Sequence, residues 1–124
     1  MNVLCISNKS DFIPSAADFA DIAHIEHATS GKEALSIITR KSCHLVIADE
    51  NLDDMTGLAF IEKMISINPM INSAVASPLS PEEFHEVSEG LGVMMQLSLQ
   101  PEKQEIQRLL EQVKAIIQLT ENNT

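Results

Sequence analysis

The run Leu45-Val46-Ile47-Ala48 is short and wholly apolar, and it ends at Asp49, after which Glu50-Asn51-Leu52-Asp53-Asp54-Met55-Thr56 leads to Gly57. Four apolar residues closed by a carboxylate and a turn describe a strand buried on both faces, the kind found inside parallel sheets. Open α/β sheets place ligands and chemistry outside the C-terminal ends of their strands. Asp49 therefore takes the position of a functional carboxylate, with an acidic loop beside it.

The same alternation of apolar run and amphipathic stretch recurs along the chain. It predicts strands at 2–6, 24–28, 44–48, 72–76 and 93–97, the second and fifth carrying polar residues, and helices at 14–22, 31–40, 57–67, 81–90 and 101–119. Such βα units wind right-handed around one sheet, so the expected class is α/β: a doubly wound, five-stranded parallel sheet of flavodoxin-like type with helices on both faces. Ser30-Gly31-Lys32-Glu33 and Ser80-Pro81-Glu82-Glu83 both have capping-box spacing, with Pro81 suited to a first helical turn. Pro101 opens the last helix, whose Ile106, Leu109, Leu110, Val113, Ile116 and Ile117 fall on one face. At 124 residues the chain fits a single domain over 1–121, with 122–124 as a C-terminal tail.

Composition narrows the function classes. A formal net charge of −10 offers no basic surface for DNA or RNA phosphates, so no direct nucleic-acid partner is expected. No segment reaches the roughly 18 apolar residues of a membrane span, and the N-terminal apolar run turns polar at Ser7, too soon for a signal peptide. With 3% aromatic residues and no Trp or Tyr, the core is expected to be built from Ile, Leu, Val, Ala and Met. Cys5 and Cys43 sit in apolar segments without metal-ligand spacing, which implies reduced thiols and a cytoplasmic location. His24, His27, His44 and His85 share no spacing that would build a metal fork.

The segment around Asp49 resembles the phosphoacceptor segment of response-regulator receiver domains, in which the Asp is followed by x-x-Leu-Pro-x-Met-Asp-Gly. Leu52, Met55 and Gly57 match, while Asp53 replaces the Pro and Thr56 the Asp. The order of landmarks agrees over essentially the whole chain, and Ser77 takes the place of the Ser or Thr that ends the fourth strand and contacts phosphate. The resemblance makes Asp49 the candidate phosphoacceptor. Other elements depart from it. The acid pair that holds Mg²⁺ at the end of the first strand is represented by Ser7 and Asn8. The Lys of the fifth strand falls on Leu99, with neutral Gln100 one position further, and the switch aromatic falls on Gln96.

These departures imply a degenerate receiver, or pseudo-receiver: a non-enzymatic, phosphorylation-independent protein-interaction module of two-component signalling, with no metal and no cofactor. The alternative is a phosphorylatable response regulator in a phosphorelay, in which Asp49 accepts a phosphoryl group from a histidine kinase and Asp11, Glu50, Asp53 or Asp54 lends an oxygen to Mg²⁺. The expected partners are signalling proteins, a histidine kinase or an output domain among them, or a second copy in a weak homodimer. By resemblance the docking face is the fourth helix, fifth strand and last helix. In that fourth helix Phe84, Val87 and Leu91 are expected to face the sheet, leaving Glu82, Glu83, Glu86 and Glu89 outward. A small flavodoxin shares the alternation, but Ser7-Asn8-Lys9-Ser10-Asp11 has no Gly for a phosphate loop.

Overall fold

The computed structural model describes residues 1–122. Strands β1 (Asn2–Ile6), β2 (His24–Ala28), β3 (Leu45–Ala48), β4 (Asn72–Ala76) and β5 (Met95–Leu97) form one parallel sheet in the order β2-β1-β3-β4-β5. The helices are α1 (Gly31–Arg40), α2 (Gly57–Ile67), α3 (Pro81–Ser88) and α4 (Lys103–Asn122). The order changes direction beside β1, which pairs with β2 on one side and β3 on the other, so the tips of β1 and β3 lie at the switch point where α/β sheets open a crevice.

Alternation along the strands sends side chains to two separate cores. Val3, Cys5, Leu45, Ile47, Ala74, Ala76 and Leu97 pack with Ile106, Leu109, Leu110 and Val113 of α4. Leu4, Ile6, Val46, Ala48 and Val75 pack with Ala34 and Ile38 of α1, Phe60, Ile61 and Met64 of α2 and Phe84 of α3. The core is less purely aliphatic than composition implies, since all four phenylalanines (Phe12, Phe19, Phe60 and Phe84) are buried in it.

Several boundaries differ from expectation for identifiable reasons. The helix expected at 14–22 shrinks to a 3-10 turn, Ala16–Phe19, started by Ser15, whose side chain accepts from Ala17 N–H. Its last turn holds no basic residue, and Asp21 follows just beyond it, where negative charge is unfavourable. The chain must also reach the sheet by His24, whose N–H donates to the Met1 carbonyl at 2.8 Å. Ser80 and Glu83 form the full capping box of α3, whereas at α1 Ser30 accepts from the Glu33 N–H but the Glu33 side chain reaches back to Thr29 rather than to Ser30. Helix α3 stops at Ser88 before Gly90, which holds φ +83. Val87 is 53% exposed and Ile116 39% exposed, so neither belongs to the apolar face expected of it. Helix α4 continues through Asn122, and the other two residues of the expected tail lie outside the described residues.

The start of α2 is pressed against the tip of β3. A Cβ on Gly57 would collide with the backbone carbonyl oxygen of Asp49, and one on Gly31 would meet the side chain of Met55. Backbone cannot retreat as a thioether can. Gly57→Ala is therefore expected to cost about 1–3 kcal/mol in chemical denaturation, in the range of other overpacking changes. Gly31→Ala should cost clearly less, because Met55 adopts another rotamer. Equal losses in the two variants would refute this account.

Candidate functional site at the tips of strands β1 and β3

Asp49 follows β3 directly and is 1% exposed. A carboxylate taken out of water is costly unless its oxygens are hydrogen-bonded. Here both are. Ser7 Oγ donates to Oδ2 at 2.7 Å, and the Glu50 N–H donates to Oδ1 at 2.7 Å. The ammonium of Lys9 stands 3.8 Å from Oδ2, reaching inward from an exposed position. Its own backbone N–H donates to Ser7 Oγ at 3.0 Å, so one hydroxyl ties the Lys9 loop to the carboxylate.

Two other acids of the tip are committed elsewhere. Asp53 Oδ1 accepts from Asn8 Nδ2 at 3.0 Å. Asp54 accepts from the Gly31 N–H at 2.7 Å and the Lys32 N–H at 3.0 Å, capping the N-terminus of α1. Those two N–H groups hold the Asp54 carboxyl below the usual carboxylate range. Behind the site, burial and then the charge of Asp49 push the Cys5 thiol up to about 12, leaving it protonated and unreactive.

A hard divalent cation requires several oxygen ligands, usually including one or two carboxylates. The positions of the family's acid pair present a Ser hydroxyl and an Asn amide, and the hydroxyl is already spent on Asp49. Asp54, named above as a surrogate ligand, is turned to α1. Among the described residues no group of three or more His, Cys, Asp or Glu side chains is arranged to hold a metal ion. The residues present do not fit Mg²⁺.

Ser77, one residue past β4, uses its hydroxyl within its own turn by accepting from the Leu79 N–H at 3.2 Å. It lines a groove of about 270 Å³ with Glu50, Thr56, Leu58, Leu79 and Val87. Leu99, at the position of the missing Lys, lies past the end of β5 and is 39% exposed. Asp49, Ser7, Asn8, Ser77 and Leu99 therefore share one edge of the sheet but divide in their partners: Ser7 joins Asp49, Asn8 joins Asp53, Ser77 closes its own loop, and Leu99 is 39% exposed.

One residue of the site went unread in the sequence, and another was read only as the replacement of an aromatic. Lys9 sits two residues after a hydroxyl at a strand tip, a spacing with no motif attached, and only the proximity of β1 to β3 brings it to Asp49. Gln96, by contrast, was visible as an amide in the otherwise apolar Met94-Met95-Gln96-Leu97. Its Nε2 donates to the carbonyls of Ser77 at 3.2 Å and Leu79 at 2.8 Å, across Pro78. The Ser77 N–H donates in turn to the Leu97 carbonyl at 3.0 Å. The loop from β4 to α3 is thus fastened to β5 through the Gln96 amide.

Two expected outcomes follow from these contacts. Gln96→Leu should speed amide exchange at Leu79 and Ser80 about tenfold, the effect of losing a net hydrogen bond or two of roughly 1 kcal/mol each. Exchange unchanged at both amides would show that the clamp is idle. Asp54, with its folded-state pKa lowered, adds stability above the pKa of the unfolded chain and loses it as pH falls through the lower folded value. Asp54→Asn should melt below the parent at pH 7, and the two melting temperatures should draw together in acid. A gap that persists at acid pH would refute this.

No protein-family model matches the chain. Over 91 residues it is 31% identical to the uncharacterized transcriptional regulatory protein YesN of Bacillus subtilis (strain 168), a match taking in 73% of this chain and 25% of that protein. The chain thus spans about a quarter of the length of the curated relative it matches. Among solved structures it is similar to the signal receiver domain of an HD domain-containing protein from Pseudomonas fluorescens Pf-5, with a TM-score of 0.78 at 14% identity, covering 99% of this chain and 93% of that one. It is also similar to a CheY-like response regulator receiver domain protein from Methanospirillum hungatei JF-1, at TM-score 0.72 and 19% identity over 99% and 98% of the two chains. A response regulator receiver domain protein from Clostridium thermocellum gives 0.76 at 16% identity over 96% and 98%. At these identities the likeness speaks for architecture: the chain has the fold of response-regulator receiver domains.

Proposed function

We propose that the domain is a two-component signalling receiver that acts as a phosphorylation-independent protein-interaction module, with no catalytic turnover of its own. The observation that carries this reading is the state of Asp49. A carboxylate that attacks a phosphoryl group needs concentrated positive charge to screen the transferring group. Asp49 Oδ1 accepts from the Glu50 N–H and Oδ2 from Ser7, and Leu99 offers no cation from β5. The carboxylate serves here as a structural acceptor that joins two strand tips.

Signalling then passes through a surface. The face formed by α3, β5 and α4 carries Glu82, Glu83, Glu86 and Glu89 on or beside α3. Of the α4 cations, Lys103 and Lys114 line a groove with Asp18 and Asp21 in and just after the 3-10 turn, and Arg108 lies close enough to Glu105 to lower its pKa. Exposed Val87 lies among the α3 acids. Such a face fits a basic partner, an output domain or kinase of the same pathway, or a second copy whose α4 cations meet the α3 acids in a weak homodimer.

Intact mass after incubation with acetyl phosphate and Mg²⁺ tests the first part. The expected result is no gain of a phosphoryl group, and a gain lost in Asp49→Asn would establish the phosphoacceptor reading instead. For the surface, charge reversal at Glu86 and Glu89 should weaken self-association or partner capture several-fold. It should leave the melting temperature nearly unchanged, since exposed charges contribute little to stability. Binding indifferent both to that reversal and to salt would place the interface elsewhere.

A further inference from the structure

We propose that Lys9 is the resident counter-ion of Asp49, doing at this strand tip the charge-balancing work of a divalent cation and thereby keeping such cations out. The inference deepens the reading of Asp49 as a structural carboxylate and rests on it.

The geometry is built rather than incidental. Ser7 Oγ donates to Asp49 Oδ2 and accepts from the Lys9 N–H two residues on, so the hydroxyl that satisfies the carboxylate also folds the loop that aims the ammonium at the same oxygen. Asn8, between them, is tied to Asp53, which anchors the loop from its other side. The Lys9 side chain is 58% exposed and that of Asp49 2%, so the stem crosses the rim while the charge stands against a group removed from water. An ion pair with one buried partner is screened far less than one between two surface groups. A divalent cation approaching Oδ2 meets that ammonium at close range, finds the Ser7 hydroxyl spent, and lacks the second carboxylate that a hard cation seeks. Lys9 thus both removes the need for a metal and repels one.

Mn²⁺ alone serves as the probe, read by paramagnetic broadening of amide resonances in the full chain. The parent should show no selective broadening at Ser7, Asp49 and Glu50. Lys9→Glu, which replaces the repelling charge with a second carboxylate, should broaden those resonances and bind Mn²⁺ about tenfold or more tightly than the parent. Lys9→Met, which removes the charge without adding a ligand, should fall between them and serves as the variant to read if Lys9→Glu does not fold. Parent-like Mn²⁺ response in the folded variants would overturn the proposal, as would Mn²⁺ uptake at Asp49 in the parent. The two readings fail separately. Mn²⁺ uptake by a parent that acetyl phosphate leaves unmodified refutes the role of Lys9 alone, whereas a parent phosphorylated on Asp49 refutes the structural reading of that carboxylate.

Discussion

A buried carboxylate at the junction of β1 and β3 is the constraint around which the rest of the tip is arranged. Removing Asp49 from water is tolerable only while its oxygens are satisfied, and the donors come from two different loops. Ser7 must therefore sit just past β1 with its hydroxyl turned across the sheet, which parallel pairing of Ile6 with Ala48 provides. Glu50 must turn back over Asp49, and its carbonyl then accepts from the Gly57 N–H at 2.9 Å. That closes the loop so tightly that only a residue without Cβ fits at the start of α2. One desolvated group thus dictates a hydroxyl, a turn and a glycine in three separate stretches of sequence.

From this junction the structure runs outward through hydrogen bonds that each link two elements. Asp54 joins the β3–α2 loop to the N-terminus of α1, and Gln96 joins β5 to the loop before α3. Asp54 meets two orphan N–H groups at a helix start, where negative charge is favoured, so the bond is charge-assisted as well as geometric. The amide of Gln96 spans two carbonyls with its two N–H groups, which suits a position that must hold a loop rather than swing past it. An aromatic ring there would pack against the loop without fixing it. Helix α3, which carries the acidic face, is thereby set in place from both ends of its connection: Gln96 before it and its own capping box at Ser80.

The architecture was legible in the sequence because apolar alternation is a local signal. Four of the five expected helices and all five strands stand where the periodicity puts them, with ends moved by a few residues. The exception, 14–22, failed because its pattern competed with a sheet-edge strand that had to begin at His24 to pair with Asn2, a non-local demand. Val87 and Ile116 were misread for a related reason: both fall on apolar helical spacing, but α3 is too short to bury a second turn and α4 runs on past the core that covers its first half. At the site, the places of Asp49 and Ser77 at strand ends could be read, since position along a strand is local. The partners of Lys9 and Asp54 could not, because separations of 40 residues and 22–23 residues are closed only by the sheet.

The distribution of charge completes the argument for a surface-based role. A chain of formal charge −10 concentrates several carboxylates at one sheet edge, yet the three described in detail there each have a dedicated donor: Asp49 from Ser7, Asp53 from Asn8 and Asp54 from α1. These neutral donors orient the carboxylates without cancelling their charge, and the cation in contact with the group is the Lys9 ammonium, 3.8 Å from Asp49 Oδ2. The acids of α3 are differently placed. Glu83 is spent on its cap, but Glu82, Glu86 and Glu89 stand exposed on a helix whose orientation two hydrogen-bonded connections fix. Attraction to the basic partner proposed for this face would act over roughly a Debye length, about 8 Å at physiological salt, so in that proposal these charges act before contact and steer the approach. In the same proposal Val87, exposed among them, supplies apolar area that only contact would bury, so that the charges would set the rate of encounter and Val87 the lifetime of the complex.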